Sequence, residues 1–111
     1  MVLDNLPTSI RCLLGDITVP EDGGHYLAQE LEDGHLIGVS NGSIKKGQGS
    51  HAWVLAGHDE DILFMTGTGP VDGDPSIMSS YWAETQGQVA LCICTSLLAQ
   101  SFRVNGKITT A

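Results

Sequence analysis

Two polar side chains stand at the borders of apolar stretches: Asn41 in S-N-G-S (40–43) and Glu84 in S-S-Y-W-A-E-T-Q-G (79–87). The first stretch reads as the end of an internal strand, the second as the start of a long apolar helix. In an open α/β sheet those two points share the edge at which ligands bind. Glu84 is the one carboxylate between Asp74 and the C-terminus. A lone acid there also has a structural explanation, because a negative charge near a helix N-terminus gains about 0.3–1 kcal/mol. Gly87 costs the helix about 1 kcal/mol relative to alanine and points to close backbone approach.

Other groups capable of chemistry carry weaker signals. His51 and His58 are seven residues apart, one in a strand and one in a turn, and are not expected as metal ligands. Cys12, Cys92 and Cys94 form no C-x-x-C; the last two are expected as buried or half-buried helix residues in a reducing compartment. The loop G-T-G-P-V-D-G-D-P-S (67–76) is rich in glycine but lacks the G-K-[ST] ending of a phosphate cradle. Lys45-Lys46 and Asp59-Glu60-Asp61 read as solvated turns, and Trp53 and Trp82 as core and helix-edge residues.

The elements that must position Asn41 and Glu84 follow from the pattern of apolar residues. Leu36 to Asn41 is a short apolar run of the kind a doubly buried strand shows. Ile44 to Ser50, with two lysines and two glycines, is expected as a hairpin loop. Ser50–Ala56 and Ile62–Thr66 complete an antiparallel meander. Ser79 or Ser80 caps a helix running from Tyr81 to Phe102, apolar nearly all round and so expected to be buried. Asn105-Gly106 turns the chain into a β-like run, Lys107–Ala111. A strand after a crossover helix pairs in parallel with the strand before it. The expected architecture is α/β, a mixed sheet of order 3-2-1-4.

Upstream, residues 1–35 are expected as an acidic leader or linker with one short helix, Tyr26–Glu32, ended by Asp33-Gly34. Of the formal charge of −8, this part holds seven acids against one base, or −6. Such a field repels phosphates, and the sequence has no basic patch to offset it. No stretch is long and apolar enough for a membrane span, and the N-terminus lacks the order of a signal peptide. The expectation is an intracellular chain, in cytoplasm or nucleus, with no membrane partner.

The order of motifs resembles the ribonuclease H domain of retroelement polyproteins, over residues 36–111. The motifs are a strand ending in S-N-G-S, a hairpin with lysine and glycine, G-S-H-A-W-V-L (49–55), a glycine-rich loop and S-S-Y-W-A-E-T-Q-G before an apolar helix. The resemblance implies a two-metal Mg²⁺ endonuclease that cuts the RNA strand of an RNA–DNA hybrid. Asn41 matches the first-strand aspartate of that family and Glu84 its helix glutamate, the two implied catalytic and metal positions. Gly42 and Ser43 match the residues where the backbone approaches the hybrid.

Asn41 removes a full negative charge from the ligand set, and Mg²⁺ is held mainly by carboxylates. The family's later acids have no counterpart in residues 36–111, so a truncated, partial domain is expected, inactive as it stands. An alternative is a non-catalytic ribonuclease H-like module that binds nucleic acid or protein, with a protein partner or the C-terminal half of the domain covering the long helix. An unrelated small α/β binding protein is a third reading.

Overall fold

A computed structural model describes residues 6–46, 48–58, 64–71, 79–106 and 108–110. The elements are α1 (Thr8–Leu14), β1 (Asp16–Thr18), α2 (His25–Asp33), β2 (Ile37–Lys45), β3 (Gln48–Ala56), β4 (Phe64–Val71), α3 (Ser80–Phe102) and β5 (Thr109–Thr110). One sheet runs in the order β1-β4-β3-β2-β5. The first four strands pair antiparallel, and β5 pairs in parallel with Ile37 and Gly38 of β2. The architecture is two-layer α/β, with three helices on one face of the sheet.

Alternation along the strands separates the two faces. On β3, Gly49, His51, Trp53 and Leu55 are buried beneath the helices, whereas Gln48, Ser50 and Ala52 are exposed. Met65, Gly67 and Val71 of β4 join the helix side. On the opposite face Val39 is 42% exposed and Phe64 55%, so among the described residues that face has no covering layer.

The N-terminal third, expected as an acidic leader or linker with one short helix, packs into the same core. Leu14, Leu27, Ala28 and Leu31 sit in the same buried cluster as Trp53, Leu55, Met65, Leu91 and Leu98. β1 adds a strand at the outer side of β4 through Asp16↔Thr68 and Thr18↔Thr66. Trp53 Nε1–H donates to the Leu14 carbonyl at 3.1 Å, which satisfies both a buried indole and an end carbonyl of α1. No local periodicity could have announced these contacts.

Two boundaries also differ from expectation. The segment expected as a hairpin loop is mostly strand, since Ser43 pairs with Ser50 and Lys45 with Gln48. Gly67 to Val71 belong to β4, and residues 72–76 of the expected glycine-rich loop lie outside the described residues. So do Asp59, Glu60 and Asp61, as well as Ile62 and Leu63 of the expected third strand. The long helix begins as its capping serine predicts, with Ser79 Oγ accepting the Trp82 N–H at 3.1 Å.

That helix is one-sided rather than enclosed. Ala83, Gly87, Ala90, Leu91, Cys94 and Leu98 face the sheet, while Tyr81 is 79% exposed and Trp82 and Val89 are each 40% exposed. Its seat on β2 is a strip without bulk. A Cβ on Gly42 would lie 2.3 Å from both the Ala83 carbonyl carbon and the Glu84 nitrogen. One turn on, a Cβ on Gly87 would lie 3.3 Å from Ser40 Cβ, and a further turn on, one on Gly38 would meet Leu91 at 3.4 Å. Glycine at 42 is therefore what lets the backbones of β2 and α3 touch. Gly42→Ala should cost about 1–3 kcal/mol, read as a lower urea midpoint at unchanged slope. Ser43→Ala, on the exposed face, should stay within about 0.5 kcal/mol of wild type.

Candidate functional sites

Asn41 and Glu84 are brought near one another through the Gly42 seat, but their side chains do not meet. Gly42 faces α3, so Asn41 and Ser43 leave β2 on the opposite face. Asn41 Oδ1 accepts the Gly42 N–H at 3.0 Å, and Ser43 Oγ shares a 3.0 Å hydrogen bond with Ser50 Oγ. Glu84 is exposed, in the fifth position of α3 and thus beyond its first turn, which weakens the helix-dipole explanation for it. Among the described residues β5 reaches only Ile37 and Gly38, so β2 has no neighbour on that side around Asn41. Asn41 and Glu84 border this open edge from opposite faces.

The fit of this edge to a Mg²⁺ pair is poor. It offers one carboxylate, Glu84, and one neutral amide oxygen already engaged by a backbone N–H. Hard divalent cations are held mainly through carboxylates. Asn41 and Glu84 alone do not fit a two-metal centre.

Directly beneath the seat lies His51, which the sequence placed in a strand without a functional role. His51 pairs in register with Gly42, is 3% exposed, and packs under Gly87. Neither ring nitrogen has a well-formed hydrogen bond among the described residues. Burial pushes its pKa below the ordinary histidine value, and the nearby Leu13 carbonyl offsets this only in part. His51 also borders a depression of about 360 Å³ shared with Asn41, Ser43 and Thr68. A larger cavity, about 610 Å³, lies between α1 and the β1–β4 edge, away from Asn41 and Glu84.

The second constellation lies at the other end of the molecule. α2 ends in Gly34, whose φ of 79° is the left-handed value that glycine takes without a Cβ penalty. The Gly34 N–H then bonds the Leu31 carbonyl and the His35 N–H bonds the Glu30 carbonyl at 2.8 Å. This is the Schellman pattern, which sets the side chain after the glycine against the one in the last helical turn. Here that pair is His35 and Glu30, with Nδ1 to Oε2 at 3.4 Å. From the end of β3 comes His58, whose Nδ1 lies 2.8 and 2.9 Å from the two Glu30 oxygens. Gly57 permits the approach, since a Cβ there would overlap the Tyr26 hydroxyl and Glu30 Cγ.

The Glu30 side chain is 5% exposed; those of His35 and His58 are 53% and 63% exposed. Burial alone would raise the Glu30 pKa, but hydrogen bonds from Tyr26 and His58, with the charges of His58 and His35, bring it below the ordinary value. The three side chains are of the metal-ligating kind, with one ligand atom from each lying within 4.8 Å of the others. His58 thus stands in a group of metal-ligating side chains, although the sequence had not led to the expectation of a ligand there.

The cysteines form no such group. Cys94 is buried against Met65, Sγ to Sδ 3.4 Å, and burial pushes its thiol up to about 12. Cys92 is exposed, contrary to expectation, as is Cys12, and all three are free. No described helix is long and apolar enough to cross a membrane. No protein-family model, curated protein or solved structure matches the chain.

The burial of His51 sets an acid limit. Its folded-state pKa is depressed, so below the unfolded value near 6.5 the unfolded chain binds the proton more readily. Stability should fall as pH drops through that value and level off below the folded pKa, with a slope of at most about 1.4 kcal/mol per pH unit. Urea unfolding of wild type and His51→Gln between pH 7.5 and 5 measures this. The variant should be less stable at neutral pH but have a shallower slope; parallel slopes would assign the pH dependence elsewhere.

Proposed function

We propose that the chain is a ribonuclease H-like domain that does not cut nucleic acid as it stands. The observation that carries this reading is the seat of α3 on Gly42, which joins the two stretches of the motif, S-N-G-S and A-E-T-Q-G, through backbone contact. The order β4-β3-β2-β5, with β5 parallel to β2, supports it as the 3-2-1-4 sheet of such a domain. Asn41 and Glu84 then stand at the positions of two family metal ligands, and Gly42 and Ser43 at those where a hybrid backbone would approach.

Loss of function follows from charge. An amide in place of a carboxylate at residue 41 leaves Glu84 as a single anionic ligand, too little for Mg²⁺. The net charge of −8 further disfavours any polyanionic substrate. A second reading, a non-catalytic module for a protein partner, is favoured by the sheet face carrying Val39 and Phe64, which is uncovered among the described residues.

A paired measurement tests the first reading. The wild-type chain should leave a labelled RNA–DNA hybrid intact in Mg²⁺ or Mn²⁺. Asn41→Asp should bind Mn²⁺ at least about ten-fold more tightly than wild type, since it restores a ligand charge, and Glu84→Gln should abolish that gain. Wild-type cleavage, or an Asn41→Asp variant with unchanged Mn²⁺ affinity, would remove residue 41 from the proposed role.

A further inference from the structure

We infer that Glu30, His35 and His58 form a binding site for a borderline divalent cation, Zn²⁺ foremost, that staples the end of α2 to the corner after β3. The inference is independent of the ribonuclease H-like reading and involves none of its residues.

The donor set is one carboxylate and two imidazole nitrogens. Three such ligands leave the fourth position of a tetrahedral Zn²⁺ to water. Nitrogen-rich sites favour Zn²⁺ and its transition-metal neighbours over Mg²⁺ and Ca²⁺, which take oxygen. At zinc–ligand distances of about 2.0–2.1 Å, tetrahedral ligand atoms stand roughly 3.3 Å apart. His35 Nδ1 is already 3.4 Å from Glu30 Oε2. His58 Nδ1, at 2.9 Å from the same Oε2, must retreat by about 0.4 Å to reach the tetrahedral spacing. Both imidazoles are more than half exposed, which leaves their rings room to make that shift.

The rest of the site is built. Glu30 is held by its helix, buried at 4% exposure and bonded by Tyr26, the outer-shell support that orients a metal-binding carboxylate. His35 is fixed in the chain by the glycine-terminated helix end, and His58 by the close packing of Gly57. The two rings meet edge to face with centroids 4.6 Å apart, both presenting Nδ1 to one carboxylate. A divalent ion satisfies both nitrogens and the carboxylate together, in place of the protons that otherwise bridge them.

The experiment titrates Zn²⁺ into the full chain carrying Cys12→Ser and Cys92→Ser, so that the two exposed thiols do not compete. A chromophoric chelator reports affinity, and Co²⁺ substitution reports geometry by visible absorption. The expected result is about one Zn²⁺ per chain with four-coordinate Co²⁺ bands and a thermal midpoint raised by Zn²⁺. His35→Ala and His58→Ala should each weaken binding at least about ten-fold, and the double variant should lose both the bands and the thermal shift. Glu30→Gln should do the same; because Glu30 is buried, far-UV circular dichroism must show that this variant folds, and the exposed histidines carry the test if it does not. Absence of Zn²⁺ binding, or undiminished binding in the His35→Ala/His58→Ala variant, overturns the inference.

Discussion

The contact on which most of the structure depends is backbone against backbone: the first turns of α3 resting on Gly42. Most helices ride on a sheet at a distance set by side chains on both partners. Here the seat is made from Gly42, Ser40 and Gly38 below and Ala83 and Gly87 above, so the helix lies low over β2. That proximity leaves little bulk over the N-terminal half of the crossing, and the larger core residues, Leu91, Cys94 and Leu98, take over further along α3. His51 fills the space between the two regimes.

From that seat the rest of the layer follows. With α3 fixed over β2 and β3, the remaining helix-facing surface of β3 and β4 needs cover, and the N-terminal segment supplies it. Leu14 arrives at the end of α1, where its carbonyl takes the Trp53 indole proton, and Leu27 and Leu31 arrive on one side of α2. The acidity of that segment is compatible with a packing role because most of its acids stay in water. Among the described acids Glu30 is the exception, and it is the acid around which the two histidines gather.

How much of this was legible in the sequence depends on the range over which each signal acts. Elements defined by their own ends were readable: α2 from Asp33-Gly34, α3 from Ser79, and β3 from H-A-W-V-L. The loop-like stretch I-K-K-G-Q-G-S misled because glycine usually breaks strands. Its strand character comes from pairing, and the nearby Gly42 answers to a helix some 40 residues away in sequence. Trp53 and Leu14 are 39 residues apart and Glu30 and His58 are 28 apart, so no window could have joined them. One local clue to the second site was present: E-L-E-D-G-H, with its glycine ending the helix, is the spacing that folds His35 back onto Glu30.

The two constellations differ in how charge and support are matched. At the open edge of β2 the scaffold is exact in backbone but thin in ligands: Gly42 brings the two chains together, yet only Glu84 carries charge, and Asn41 spends its oxygen on its neighbour's amide. At the end of α2 the ligands are concentrated, with a buried carboxylate, two imidazoles and a supporting tyrosine hydroxyl. A buried anion without compensation would be strongly unfavourable. The histidines are therefore structural participants whether or not a metal joins them, and the exposure of their rings to water is what leaves the same site open to a cation.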